Sequence, residues 1–153
     1  MISKELIESV KQGEGFRNRV YKCTGGFDTC GYGYNLEANP LLLDKAVIEA
    51  IYAKGITKQA ASDLLTRCLR AIELKIPNEL PWFSDLDPVR RDVLSNMAYN
   101  LGINGLLGFR NTLGYIKIGQ YEKASQGMLH SKWAKQVKGR AKKLSEQMRT
   151  GKY

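Results

Sequence analysis

Apolar residues recur at helical spacing along most of this 153-residue chain, and the exception is a short glycine-rich stretch near its start. Ser3 precedes Leu6, Ile7 and Val10, which share one side of a helix that the pattern ends near Gly13. Two strand-like runs come next, RVYKC and TCGYGY. The segment between them, TGGFD, has the glycines a hairpin needs. NLEANPLLLD reads as a loop marked by Pro40, and DKAVIEAIYAK as a short helix ending at Gly55.

Thr57 then caps the longest helix expected in the chain. Ala60, Leu64, Cys68, Ile72 and Ile76 recur every four residues, with Ala61, Leu65 and Leu69 alongside, until Pro77 stops the stripe. About 20 residues give a helix of roughly 30 Å, long enough to join two lobes. NELPWFSDLDP is a proline-punctuated turn region. Beyond it the pattern stays helical: PVRRDVLSNMAYNLG closes at Gly102, INGLLGFRNTLGYIKIG is shorter and broken by glycines, and YEKASQGMLHSKW and VKGRAKKLSEQMRTG complete a helical lobe. The fold class predicted is α+β and mainly helical. A small N-terminal hairpin lobe covers about residues 13–58 and a connecting helix about 57–76. A helical C-terminal lobe takes about 80–153 together with the first helix. No internal repeat or low-complexity tract interrupts this plan, and the length suits one domain.

Composition narrows the class. Hydrophobic residues make up 43% and charged residues 25%, as in ordinary globular proteins. No apolar run reaches the roughly 18 residues of a membrane span. The first residues, MISKELIESVKQ, alternate charge with apolar side chains, unlike a secretory signal. A cytoplasmic, unanchored protein is expected. Three cysteines and one histidine match no zinc spacing, so no metal or other cofactor is expected, and Cys68 falls on the apolar stripe as a core thiol. The net charge of +9 is uneven: residues 1–76 carry 11 basic and 9 acidic groups, residues 77–153 carry 13 and 6. Lys132 to Lys152 holds eight basic groups against Glu146 alone. Such a face suits a polyanionic partner, or serves only to keep the protein soluble.

The candidate chemistry lies in GEGFRNRVYKCTGGFDTCGYGY. Glu14, between Gly13 and Gly15, ends the first helix where a bulky substrate can approach. Cys23 comes nine residues later at the end of one strand-like run, and Thr29 six residues after that at the start of the next. Paired strands running back past the helix end can bring the three together. An acid facing a polar pair across a gap can split a glycosidic bond with a water between the groups. Thr29 and Cys30, being adjacent, point to opposite faces, so Cys30 turns to the core if Thr29 faces Glu14, and a Cys23–Cys30 disulfide is disfavoured. Asp28 is the nearest rival carboxylate, but within GGFD it reads as a turn stabiliser.

This E-x8-C-x5-T stretch resembles the phage-type lysozyme (endolysin) family, whose signature is E-x8-[D/C]-x5-T, and within it the T-even type. NMAYNLGINGLLGFRNTL and SKWAKQVKGRAKKLSEQMRTG are similar to that family's later helices in order and spacing, so the resemblance covers almost the whole chain, most weakly from about Pro40 to Ile56. It implies a two-lobe lysozyme-like fold. It also implies Glu14 as catalytic acid, with Cys23 and Thr29 as its partners. Arg140 would pair with the glutamate, and Tyr99 and Thr112 would contact sugar. Asn35 and Gly127 align with further sugar-contacting positions but differ there in residue type. Tyr34 and Cys68 stand where the family's prototype has a His–Asp ion pair. Trp133 is matched, at a position that suits core or cleft equally.

The activity this resemblance implies is hydrolysis of the β-1,4 bond between N-acetylmuramic acid and N-acetylglucosamine in bacterial peptidoglycan, leading to host cell lysis. Glu14 would donate its proton to the leaving oxygen while Thr29 and Cys23 hold or activate a water on the opposite face. The partner would be the glycan strand. The protein would act as a monomer without nucleic acid, accumulate in the host cytoplasm, and reach the wall through a separate holin. Two other readings are a lytic transglycosylase, against which the water-holding pair argues, and a basic helical nucleic-acid binder, which lacks a helix-turn-helix or stacking-aromatic motif.

Overall fold

A computed structural model describes all residues, Met1–Tyr153. Eight α-helices and three short strands make up the chain: α1 (Lys4–Glu14), β1 (Arg17–Lys22), β2 (Asp28–Gly31), β3 (Tyr34–Asn35), α2 (Lys45–Lys54), α3 (Lys58–Glu79), α4 (Pro88–Leu107), α5 (Arg110–Lys117), α6 (Tyr121–Leu129), α7 (Lys132–Val137) and α8 (Gly139–Thr150). The fold is therefore α+β and mainly helical, and no strand occurs after Asn35. No helix is long and apolar enough to cross a membrane. The chain divides into two compact units, Met1–Ala71 and Ile72–Tyr153, and α3 runs through the boundary.

In the first unit Ser3 caps α1 by accepting the Leu6 N–H at 3.0 Å, which satisfies one of the amides a helix start leaves without an internal partner. Leu6 and Val10, one turn apart, are its buried face. The strands form an antiparallel sheet in the order β1–β2–β3. Asn18 ties the first strand to the end of α2, donating its side-chain amide to the Ile56 carbonyl at 3.0 Å while its own carbonyl accepts the Ile56 N–H at 2.8 Å. Thr57 caps α3 as expected, accepting from the Ala60 N–H at 3.1 Å.

The apolar stripe on α3 differs from the expected one at both ends. Ala60 is exposed and the buried face begins at Ala61. Pro77 does not stop the helix, which continues to Glu79. A proline removes one amide donor, and near a helix end the loss is local. Here the Leu80 N–H still reaches the Ile76 carbonyl at 2.8 Å.

The second unit is built around α4. Its residues Val93, Leu94, Met97 and Ala98 are buried with Phe83, Leu106, Ile116, Met128, Leu144 and Met148 in one continuous core. Gly102 interrupts α4 with φ +77° and ψ 161°, so the helical run closes where the sequence pattern closes it and a second short run completes the element. YEKASQGMLHSKW is broken at His130, after which Ser131 caps α7 by accepting the Ala134 N–H at 3.1 Å.

Candidate active site

The sheet register decides which side chains share a face. Thr29 lies opposite Tyr21 on β1 and opposite Asn35 on β3, so Tyr21, Thr29 and Asn35 form one row across the three strands. Cys30 pairs with Tyr34 in the neighbouring row, and both are buried. Adjacent residues of a strand alternate faces, so Thr29 and Cys30 lie on opposite faces of the sheet, and Thr29, at 3% exposure, is covered as well. Burial pushes the Cys30 thiol up to about 11 and the Cys68 thiol likewise up to about 11, which keeps both inert.

Glu14 is the last residue of α1. Its carboxylate lies against Gly33 in the turn between β2 and β3: a Cβ on Gly33 would come within 2.8 Å of Glu14 Oε2. Gly33 has φ +79°, a conformation side-chain-bearing residues rarely adopt, so both space and backbone call for glycine there. Tyr21 stands close enough for the Glu14 charge to act on it. Burial first, and then Glu14, hold its phenol above the ordinary value. Thus α1 and the hairpin bring Glu14, Tyr21 and Thr29 to one region of the first unit.

Cys23 directly succeeds β1, where the chain turns. Its N–H donates to the Phe27 carbonyl at 3.0 Å, and its own carbonyl accepts the Gly26 N–H at 2.8 Å. The same Phe27 carbonyl accepts the Thr29 hydroxyl at 2.9 Å. The backbone at Phe27 lowers the Cys23 thiol below its ordinary value, with the Thr29 hydroxyl next in weight and Gly25 and Gly26 adding to it. A hydroxyl carries one proton, so Thr29 donates either to Phe27 or to a Cys23 thiolate, not to both. A turn that offers several donors to one sulfur favours its anionic form.

Asn35 commits its side-chain oxygen to the Ala38 N–H at 2.9 Å, leaving its amide NH2 as the group available for a ligand. Asp28 is a structural residue, as the sequence suggests. Its carboxylate accepts from Lys22 Nζ at 2.7 Å and from the Tyr52 hydroxyl at 2.6 Å, pinning the hairpin to α2. Tyr34 does not form an ion pair with position 68. Its hydroxyl donates to Asn39 Oδ1 at 2.7 Å and accepts the Leu41 N–H at 3.2 Å, holding the loop that precedes α2.

The remaining candidates lie in the second unit. Arg140 wraps Asn96, donating to its Oδ1 through Nε at 2.9 Å and Nη2 at 2.7 Å. Asn96 is fully buried on α4, so the guanidinium is held in place from its own unit. Tyr99, one turn further along α4, is half-buried. Thr112 on α5 is buried, and Gly127 on α6 packs on it: a Cβ there would meet Thr112 Oγ1 at 2.6 Å. Trp133 is core, with 4% exposure; it stacks edge-on against Phe109 and donates Nε1–H to Asn100 Oδ1 at 2.7 Å.

Sequence reasoning missed Tyr21, Gly33 and Asn96. Only the first had a local signal, its alternation with Arg19 and Cys23 along RVYKC. The other two depend on what the fold lays against them.

The phage lysozyme family profile matches residues 11–149. The chain is 29% identical over 160 residues to the pre-baseplate central spike protein Gp5 of Enterobacteria phage T4, covering 95% of this chain but only 28% of that protein. It is 25% identical over 160 residues to probable T4-type lysozyme 1 of Dictyostelium discoideum, covering 95% of this chain and 94% of that one. With residues 11–149 matched by the family profile and a mainly helical α+β fold, the chain belongs to the phage lysozyme family and carries a lysozyme-type glycoside hydrolase domain.

Proposed function

We propose that this chain hydrolyses the β-1,4 bond between N-acetylmuramic acid and N-acetylglucosamine in peptidoglycan and works as an endolysin. The observation that carries the reading is the arrangement in the first unit: Glu14 seated on Gly33 at the end of α1, beside a hairpin row centred on Thr29, with the donor-rich turn of Cys23 next to it. Glu14 protonates the leaving oxygen as the bond breaks and positive charge grows on the sugar. A water held by Thr29 and Cys23 attacks from the opposite side and loses its proton to the Cys23 thiolate or to solvent. Arg140, fixed by Asn96 within its own unit, takes a supporting role by family resemblance. Asn35, Tyr99, Thr112 and Gly127 contact the glycan, Gly127 through its backbone alone. The protein acts as a monomer, and by family analogy a separate holin lets it out of the host cytoplasm to the wall.

The test uses outer-membrane-permeabilised cells and purified walls. Wild type clears turbidity and yields fragments whose masses sum to one water more than the strand per bond cut, whereas a lytic transglycosylase yields anhydro ends without that gain. Glu14→Gln keeps the shape and removes the acid, and a folded variant should lose activity by several orders of magnitude. Lysis within tenfold of wild type by folded Glu14→Gln would refute the assignment.

A further inference from the structure

We infer that Asn39 is a positioning residue for the proposed glycan contact: it folds the loop after β3 so that Asn35 offers its side-chain NH2, and only that group, to the substrate. This inference rests on the reading of Asn35 as a sugar contact and names what fixes its selectivity. The loop from Asn35 to Leu43 is a hydrogen-bonded unit with Asn39 as its hub. Asn39 Oδ1 accepts the Leu43 N–H at 2.9 Å and the Tyr34 hydroxyl at 2.7 Å, and Nδ2 donates to the Leu43 carbonyl at 3.1 Å. Its backbone closes both halves of the loop. The Asn39 N–H donates to the Asn35 carbonyl at 2.9 Å, and the Asn39 carbonyl accepts the Leu42 N–H at 2.9 Å.

The proton directions in this network are fixed. A backbone N–H can only donate, so Leu43 determines which end of the Asn39 amide is oxygen, and Tyr34 must then donate to it. Ala38 orients Asn35 in the same way: its N–H takes Oδ1 at 2.9 Å, which leaves the NH2 for a ligand. An amide held like this selects an acceptor oxygen on the sugar. The loop is strained around the hub, with Asn39 at φ +41° and Leu42 at φ +53°. Asparagine is among the few side chains that tolerate such backbone, and Pro40 keeps its predecessor out of the right-handed helical region. Strain of this kind persists where the surroundings over-determine it, and the Asn39 side chain supplies that constraint. Tyr34 anchors the hub. It is buried, pairs with Cys30 in the sheet and directly precedes Asn35 in β3, so the residue that Asn39 grips and the residue proposed to meet the glycan are neighbours on one strand.

The test is a double-mutant cycle on purified glycan strands. Asn39→Gly keeps the positive φ and removes the side chain of the hub. It should raise KM about fivefold, the worth of about one hydrogen bond, with kcat within about twofold. Asn35→Ala should raise KM by a similar factor. So should Asn35→Asp, which keeps the Ala38 bond but has no N–H to offer. In the Asn35→Ala background, Asn39→Gly should add less than about twofold. Factors that multiply in the double variant, or a fall in kcat with KM unchanged, would make Asn39 a loop support only and overturn the inference. Asn39→Asp, which retains an acceptor for Tyr34 and Leu43, should recover part of the loss. Tyr34→Phe removes one hydroxyl from the same hub and stands in if Asn39→Gly folds poorly; an unchanged KM in Tyr34→Phe overturns the inference. Hydrogen exchange at the Ala38 amide reads the link without catalysis. It should quicken at least about tenfold in Asn39→Gly, and an unchanged rate overturns the inference. If wild type cuts no glycan, the hydrolase reading falls, and this exchange rate alone decides whether Asn39 holds Asn35.

Discussion

The Glu14 carboxylate rests against the backbone of Gly33, with room for a hydrogen and none for a methyl group. Gly33→Ala therefore brings two penalties. Its φ of +79° costs a side-chain-bearing residue about 1–2 kcal/mol, and the new Cβ displaces the carboxylate. We expect melting to fall by several degrees and lysis by at least about a hundredfold, since an ångström of misplacement is that costly to catalysis. A Gly33→Ala enzyme that lyses like wild type would show that the carboxylate position is unimportant.

The contrast among the cysteines predicts selective chemistry. The thiolate is the reactive form, so the lowered Cys23 should be alkylated at neutral pH while Cys30 and Cys68, each at about 11, lag by about a hundredfold. Activity of wild type should rise from neutral toward mildly alkaline pH as Cys23 ionises. Cys23→Asp should keep substantial activity without that rise, and Cys23→Ala should be badly impaired. Mass spectrometry of the labelled thiol alongside turbidity assays checks this. Full activity after confirmed Cys23 alkylation would leave the thiol as a passive lining of the turn.

Lys135, Lys138, Lys142 and Lys143 are exposed in the stretch from α7 to α8. They should speed capture of an anionic wall without touching the chemical step. Exposed charges are screened over about 10 Å at 0.1 M salt. Added salt should slow lysis of whole walls but leave turnover of a neutral chitooligosaccharide unchanged. Equal salt sensitivity on both substrates would remove these lysines from substrate capture.

The clasp of Asp28 predicts a pH effect on stability rather than on activity. Lys22 first, then Tyr52, hold the Asp28 carboxyl below its ordinary value of 3.8. A lowered carboxyl stabilises the fold above its unfolded value, and that contribution is lost as pH falls through the folded one. The Tyr52 phenol, raised to about 12 chiefly by Asp28, works the other way: its share is present below the ordinary 10.0 and lost as pH rises toward 12. Thermal melts of wild type and Tyr52→Phe should therefore differ most between about pH 4 and 10 and converge outside that window. A constant difference at all pH values would dissociate the clasp from stability.

Much of this protein was legible in the order of its residues. Ser3 and Thr57 are caps because a hydroxyl just before an apolar run can take an orphan amide. The alternation at Thr29 and Cys30 set their opposite faces, and Gly102 marked the break in α4. These are local matters, settled by neighbours a few residues away. Pro77 shows the boundary of such reasoning: proline disfavours helix, yet where it falls near the end of α3 the helix runs on to Glu79. Long-range placement was beyond the pattern. Nothing in the spacing says that Glu14 will lie on Gly33, that Tyr21 will pair with Thr29 across a bulged ladder, or that Asn96 will hold Arg140 from 44 residues away. Those relationships exist only once strands pair and helices pack, because they are set by register and close contact between segments far apart in the chain. Residue order alone establishes which chemical groups are present and which helices and strands carry them. Strand register and helix packing establish which of those groups meet.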